Sequence, residues 1–129
     1  MSARVMIVDD EFHIVVPLQL KFTKAGYEVI TAMDGDEAWE EIQKRPPDLL
    51  IADVLMPNMN GYELVEKIRK DPLLADLPVV FLTATAVEQK TREWAAEKNV
   101  AEVIAKPYSV KEVIRTVERM LESSGAVTG

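Results

Sequence analysis

The side chains able to do chemistry are three acids, Asp9, Asp10 and Asp53, the hydroxyl of Thr83 and the ammonium of Lys106. Asp53 closes an apolar run, Leu49 to Ala52, with Pro47 before it and Pro57 and Gly61 after it. Such a run reads as a strand buried on both faces. Burying a carboxylate without a partner is costly, so an acid closing that strand belongs at its mouth. Asp9, Asp10 and Glu11 follow a second apolar run, Arg4 to Val8. Carboxylates drawn together repel, and one must take up a proton unless something neutralises them. A hard divalent cation removes the conflict, and magnesium suits an oxygen-rich site that also receives a phosphate. Lys106 brings a second positive charge toward an incoming anion, and Thr83 brings a donor. A carboxylate nucleophile flanked by a cation, a lysine and a hydroxyl stabilises a transferring phosphoryl group, and the product is an aspartyl phosphate. Cysteine is absent, and His13, the one histidine, has no nucleophile beside it in the sequence, so thiol and serine mechanisms lack support.

The elements that must position these groups alternate. Strands are expected at Arg4–Val8, Tyr27–Ala32, Asp48–Asp53, Leu77–Thr83 and Glu102–Ala105. Helices are expected at Phe12–Ala25, Asp36–Lys44, Tyr62–Lys70, Val87–Lys98 and Ser109–Ser123. In the first helix Ile14, Val15, Leu18, Phe22 and Ala25 fall on one side, Pro17 bends or shortens the first turn, and Gly26 stops it. Ser109 followed by Glu112 has the form of a capping box. Strand–helix alternation implies an α/β domain, a doubly wound parallel sheet with helices on both faces and right-handed crossovers. In the strand order 2-1-3-4-5, the first and third strands meet at the topological switch point, where ligands bind at the carboxyl ends. Asp9, Asp10 and Asp53 then share one crevice, with Thr83 and Lys106 arriving from the adjoining strands.

Composition bounds the rest. The 129 residues fit one domain, here residues 1–123, with 124–129 as a loose tail. Apolar residues are 48% and charged residues 29%, as in a folded globular chain. A net charge of −7 argues against gripping nucleic acid through its phosphates. No apolar run is long enough to span a bilayer and no leader opens the chain, which fits the cytoplasm.

The acids Asp9-Asp10, the segment Asp53-Val-Leu-Met-Pro-Asn-Met-Asn-Gly61, Thr83-Ala84 and Lys106-Pro107 together resemble the receiver domain of bacterial two-component response regulators, over roughly Arg4 to Leu121. The resemblance implies a five-stranded flavodoxin-like fold and a signalling switch rather than a turnover enzyme. It implies Asp53 as the phosphoacceptor, with Thr83 as the switch hydroxyl and Lys106 pairing with the phosphate. It makes Asp10 a direct magnesium ligand, Asp9 a ligand through water, and the Leu55 carbonyl a further ligand. It also implies a cis Lys106–Pro107 bond. The partners it implies are a histidine kinase or histidine phosphotransfer protein, and a downstream protein target on the face of the fourth helix, fifth strand and fifth helix. A homodimer is a further option; no direct contact with nucleic acid or membrane is expected. Two positions depart from the pattern. Val103 stands where the family usually has an aromatic switch residue, and Asn99-Val100 stands where Gly-Ala is usual.

Plainer readings compete residue by residue. Asp9 to Glu11 could merely cap a helix, Thr83 could merely end a strand, and Lys106 could be a solvated lysine. His13 reads as a helix-surface residue, and Trp39, Trp94, Met56 and Met59 read as packing residues. Two other functions compete as well. A phosphorylation-independent interaction module would keep the fold and not bind magnesium. An Asp-nucleophile phosphohydrolase needs a general acid two residues past the nucleophile, where this chain has Leu55.

Overall fold

The computed structural model describes residues 3–84 and 87–124. The elements alternate as expected: β1 (Arg4–Val8), α1 (Phe12–Lys24), β2 (Glu28–Ala32), α2 (Gly35–Lys44), β3 (Leu49–Asp53), α3 (Gly61–Lys70), β4 (Val79–Ala84), α4 (Glu88–Glu97), β5 (Glu102–Lys106) and α5 (Val110–Ser124). The strands form one parallel sheet in the order β2-β1-β3-β4-β5. This is the doubly wound, flavodoxin-like arrangement. Of the expected tail, Ser124 ends α5 and residues 125–129 lie outside the described residues.

The three central strands, β1, β3 and β4, are apolar and buried because both of their faces are covered, while the edge strands β2 and β5 are partly open. Val5, Ile7, Leu49, Ile51, Val80 and Leu82 pack against α1 and α5 through Val15, Leu18, Phe22, Val113, Val117 and Leu121. Their neighbours Met6, Val8, Leu50, Ala52, Val79 and Phe81 point the other way, onto α2, α3 and α4 through Ala38, Ile42, Leu64, Val65, Ile68 and Ala95. The two-residue period of a strand sorts the side chains between these layers. Val103 is buried in the second layer, in the same cluster as Phe81.

Local chemistry sets the element ends. The α2 helix begins one residue before its expected start because Asp34 caps it, its carboxylate accepting the Glu37 N–H at 2.8 Å. The α3 helix carries a complete capping box: Asn60 accepts from the Glu63 N–H at 2.9 Å, and the Glu63 side chain accepts from the Asn60 N–H at 3.1 Å. At α5 the Ser109 hydroxyl accepts the Glu112 N–H at 3.1 Å. Gly26, with φ of +97°, follows the last turn of α1, and Asn99 turns the chain before β5 with φ of +57°. Pro17 lies inside α1 without ending it. Ala25, expected on the inner face of α1, is exposed. It is the C-cap of α1, its N–H still donating to the Lys21 carbonyl at 3.0 Å, and its exposure goes with its place at the very end of the helix.

Two contacts hold the loops around the carboxyl edge. The Gly35 N–H donates to the Met59 carbonyl at 3.1 Å. Gly61 packs so closely behind β3 that a Cβ would stand 2.6 Å from the Asp53 carbonyl oxygen and 3.0 Å from Val54 Cα. The first turn of α3 is thereby pressed onto the end of the strand that carries Asp53. At the opposite edge, the Arg69 guanidinium donates to the carbonyls of Lys98, Ala75, Leu77 and Asn99 at 2.9, 3.0, 2.9 and 3.2 Å. It ties the loop before β4 to the loop before β5.

Candidate functional site

Parallel strands end at one edge, so the termini of β1, β3 and β5 deliver Asp9, Asp53 and Lys106 to a common point. The Lys106 Nζ lies 3.4 Å from Asp9 Oδ2, 3.5 Å from Asp53 Oδ2 and 3.3 Å from Glu11 Oε1. Asp9 and Asp53 are 2% and 5% exposed, whereas Asp10 is open to solvent. Asp9 also accepts the Glu11 N–H at 3.0 Å through its other oxygen, and so steadies the start of α1. None of the three acids caps α1 through its side chain: the N-cap is Glu11, whose carboxylate accepts no helix N–H, so the capping reading does not hold.

Burial sets the electrostatics. Loss of hydration, then repulsion from Asp9, push the Asp53 carboxyl up to about 6, against the pull of Lys106 and the Leu55 N–H. Burial likewise raises Asp9, although the Glu11 N–H and Lys106 oppose it. Burial pulls Lys106 down, but Asp53, Asp9 and Glu11 together outweigh it and hold the ammonium above the ordinary lysine value. One ammonium does not balance this group of acids. Asp9, Asp10, Glu11 and Asp53 each offer an oxygen, and these oxygens lie within 4.8 Å of one another. An all-carboxylate donor set fits a hard divalent cation. The acidic cluster could therefore hold a metal ion.

The remaining residues named from the sequence fall as follows. The Leu55 N–H points at Asp53 Oδ1 from 3.4 Å, which places its backbone at the same mouth, and the residue is 57% exposed. Thr83 closes on the other side of the sheet. It is fully buried, and its hydroxyl meets the Ala84 carbonyl at 3.3 Å and the Thr91 hydroxyl at 3.4 Å. The Lys106–Pro107 bond is cis. His13 is exposed on α1 and approaches Glu11 at 3.2 Å, not the buried carboxylates. Met59 is buried, and Met56, Trp39 and Trp94 pack partly buried against the core, so the packing readings hold for all four.

Two neighbours were not singled out as site residues from the sequence. Glu11 was visible as the third acid of its run, but its contact with Lys106 depends on how α1 leaves the sheet. Tyr108 gave no sequence sign at all. Its buried hydroxyl is pushed up to about 12, chiefly by lost hydration and then by Asp9.

Comparison with known proteins agrees with this arrangement. The model of the response regulator receiver domain matches residues 5–118. The chain is 35% identical over 124 residues to the alkaline phosphatase synthesis transcriptional regulatory protein PhoP of Bacillus subtilis, covering 96% of this chain and 50% of that protein. It is 35% identical over 121 residues to the phosphate regulon transcriptional regulatory protein PhoB of Rhizobium meliloti, covering 94% of this chain and 53% of the relative. The chain thus spans about half the length of these curated relatives. The solved structure of the chemotaxis response regulator CheY4 of Vibrio cholerae superposes with a TM-score of 0.84 at 31% identity, covering 92% of this chain and 98% of that one. A matched family over most of the chain, the sheet order and the carboxylates gathered at the sheet's carboxyl edge lead to one conclusion: the chain belongs to the response regulator receiver domain family of two-component signalling systems.

Proposed function

We propose that this chain is a phosphoacceptor switch in which Asp53 takes a phosphoryl group from the phosphohistidine of a histidine kinase or a histidine phosphotransfer protein. The observation that carries the reading is the single ammonium of Lys106 set between Asp9 and Asp53 within a cluster of four acids. An oxygen of Asp53 attacks phosphorus, the P–N bond breaks, and the bonding pair leaves with the imidazole nitrogen. A ring protonated on its other nitrogen departs neutral. Lys106 pairs with a phosphoryl oxygen as negative charge gathers there. Thr83 donates a hydrogen bond to another phosphoryl oxygen once its hydroxyl turns toward the site. Magnesium held by Asp9, Asp10, Asp53 and the Leu55 carbonyl would offset the carboxylate charge and stabilise the transferring group. Hydrolysis of the acyl phosphate resets the switch, so the chain assists its own phosphorylation and dephosphorylation without turning over a substrate pool. The phosphorylated form shifts a two-state equilibrium on the face of α4, β5 and α5, which a protein target reads. The phosphohydrolase alternative finds no acid at position 55, where the leucine side chain faces solvent.

The test is intact mass after incubation with acetyl phosphate and magnesium, beside Asp53→Asn. A single phosphoryl adduct on the wild type alone is the expected outcome. An adduct of equal yield on Asp53→Asn would overturn the assignment.

A further inference from the structure

Three hydroxyls run in line across the layer that holds α3 and α4. The Thr83 hydroxyl lies 3.4 Å from that of Thr91 on α4, and Thr91 lies 2.7 Å from the phenol of Tyr62 on α3. Thr83 and Thr91 are both fully buried, and Tyr62 is half-buried. The arrangement follows from strand parity: Thr83 shares the side of β4 occupied by Val79 and Phe81, which faces α3 and α4. Tyr62 in turn packs edge-on against Trp94, with ring centroids 4.7 Å apart, and against Phe81 at 5.8 Å.

We infer that Thr91 and Tyr62 are positioning residues that hold the Thr83 hydroxyl away from Asp53 at rest, and that their release carries the state of the site to Tyr62 and Trp94. The inference rests on the phosphoacceptor reading. The proton count supports it. When Tyr62 donates to Thr91, Thr91 to Thr83 and Thr83 to the Ala84 carbonyl, every hydroxyl proton has an acceptor. A rotamer change at Thr83 that aims its proton at a phosphoryl oxygen takes Thr83 away from Thr91. A buried donor without a partner is costly, so Thr91 turns its proton to the Tyr62 oxygen. Tyr62 then becomes the acceptor and must donate elsewhere, which its half-buried position allows. The direction of the chain reverses, and the aromatic group beside it feels the change. This route leads to α3 and α4 and does not pass through position 103, where a buried valine has no hydroxyl to take part.

The test isolates Trp94 in a Trp39→Phe background, since the chain has two tryptophans. Beryllium fluoride with magnesium serves as the phosphoryl mimic, and Trp94 emission is the readout. The background protein should show an emission change on binding. Thr91→Ser, which keeps the hydroxyl, should retain it. Thr91→Val and Tyr62→Phe, which keep the packing, should lose most of it. Loss of one resting hydrogen bond should also lower the half-saturating beryllium fluoride concentration about fivefold in Thr91→Val. Should Thr91→Val fail to fold, Tyr62→Phe on its own gives the answer. Emission changes in Thr91→Val and Tyr62→Phe equal to that of Thr91→Ser, with binding intact, would overturn the relay alone. No response to beryllium fluoride and no acetyl phosphate adduct in any of the proteins would overturn the phosphoacceptor reading, and the relay with it.

Discussion

Replacing Asp53 by asparagine should stabilise the metal-free protein. Asp53 is 5% exposed, and its carboxyl is raised from 3.8 to about 6 by lost hydration and by Asp9. A rise of about two units corresponds to about 3 kcal/mol that the ionised form costs the fold at neutral pH. The folded value lies above the unfolded one. The carboxyl's favourable contribution is therefore whole below about pH 3.8 and is lost as pH rises through about 6. Asparagine is close in shape, keeps an acceptor for the Leu55 N–H, and gives up only the 3.5 Å approach to Lys106. The expected gain at pH 7.5 in chelator is about 1–3 kcal/mol, or roughly 5–10 °C in midpoint for a domain of this size. At pH 4.5 the unfolded carboxyl is largely ionised while the folded one is not, and the gain should shrink to about a third. Urea and thermal unfolding at both pH values measure it. Excess magnesium should narrow the gap by stabilising the wild type more than the variant. An asparagine variant no more stable than wild type in chelator at pH 7.5 would refute the argument that burial and Asp9 strain this carboxylate.

Three further outcomes follow from the geometry. Lys106→Ala removes the cation that Asp9, Glu11 and Asp53 share, and should cost about 2 kcal/mol in chelator, partly restored by magnesium in the same unfolding assay. Gly61→Ala drives a methyl into the backbone of Asp53 and Val54 and should cost about 1–3 kcal/mol, with slower acceptance of phosphate from acetyl phosphate because the strand end must shift. Arg69→Met removes donors to four carbonyls that stand far from the acidic cluster. It should lower stability by roughly 3 kcal/mol while leaving the midpoint of magnesium binding unchanged.

The order and type of the elements were legible because both periods are written plainly in the chain. The continuous apolar runs of β1, β3 and β4 are the mark of strands covered on both faces, and the 3.6-residue pattern placed the helices between them. Element ends moved by a residue or two where a cap decided them, as at Asp34 and Asn60. Ala25 keeps helical geometry as the C-cap of α1 but is exposed, because the stripe it continues runs out at the helix end. The convergence of Asp9, Asp53 and Lys106 was legible for a topological reason: parallel strands bring their carboxyl ends to one edge, so residues that close strands must meet. Other contacts had no sequence mark. The shared approach of Glu11 to Lys106, the Arg69 knot and the bonding of Thr83 to Thr91 and Tyr62 join residues from elements distant in the chain. The sequence determined which side chains stand at the sheet edge, because strand termini and residue types fix them. Strand parity puts Thr83 on the side of β4 that carries Val79 and Phe81, but only the tertiary structure decided what its hydroxyl bonds there. That depends on the packing of α3 and α4 against the sheet, which no single stretch of sequence encodes.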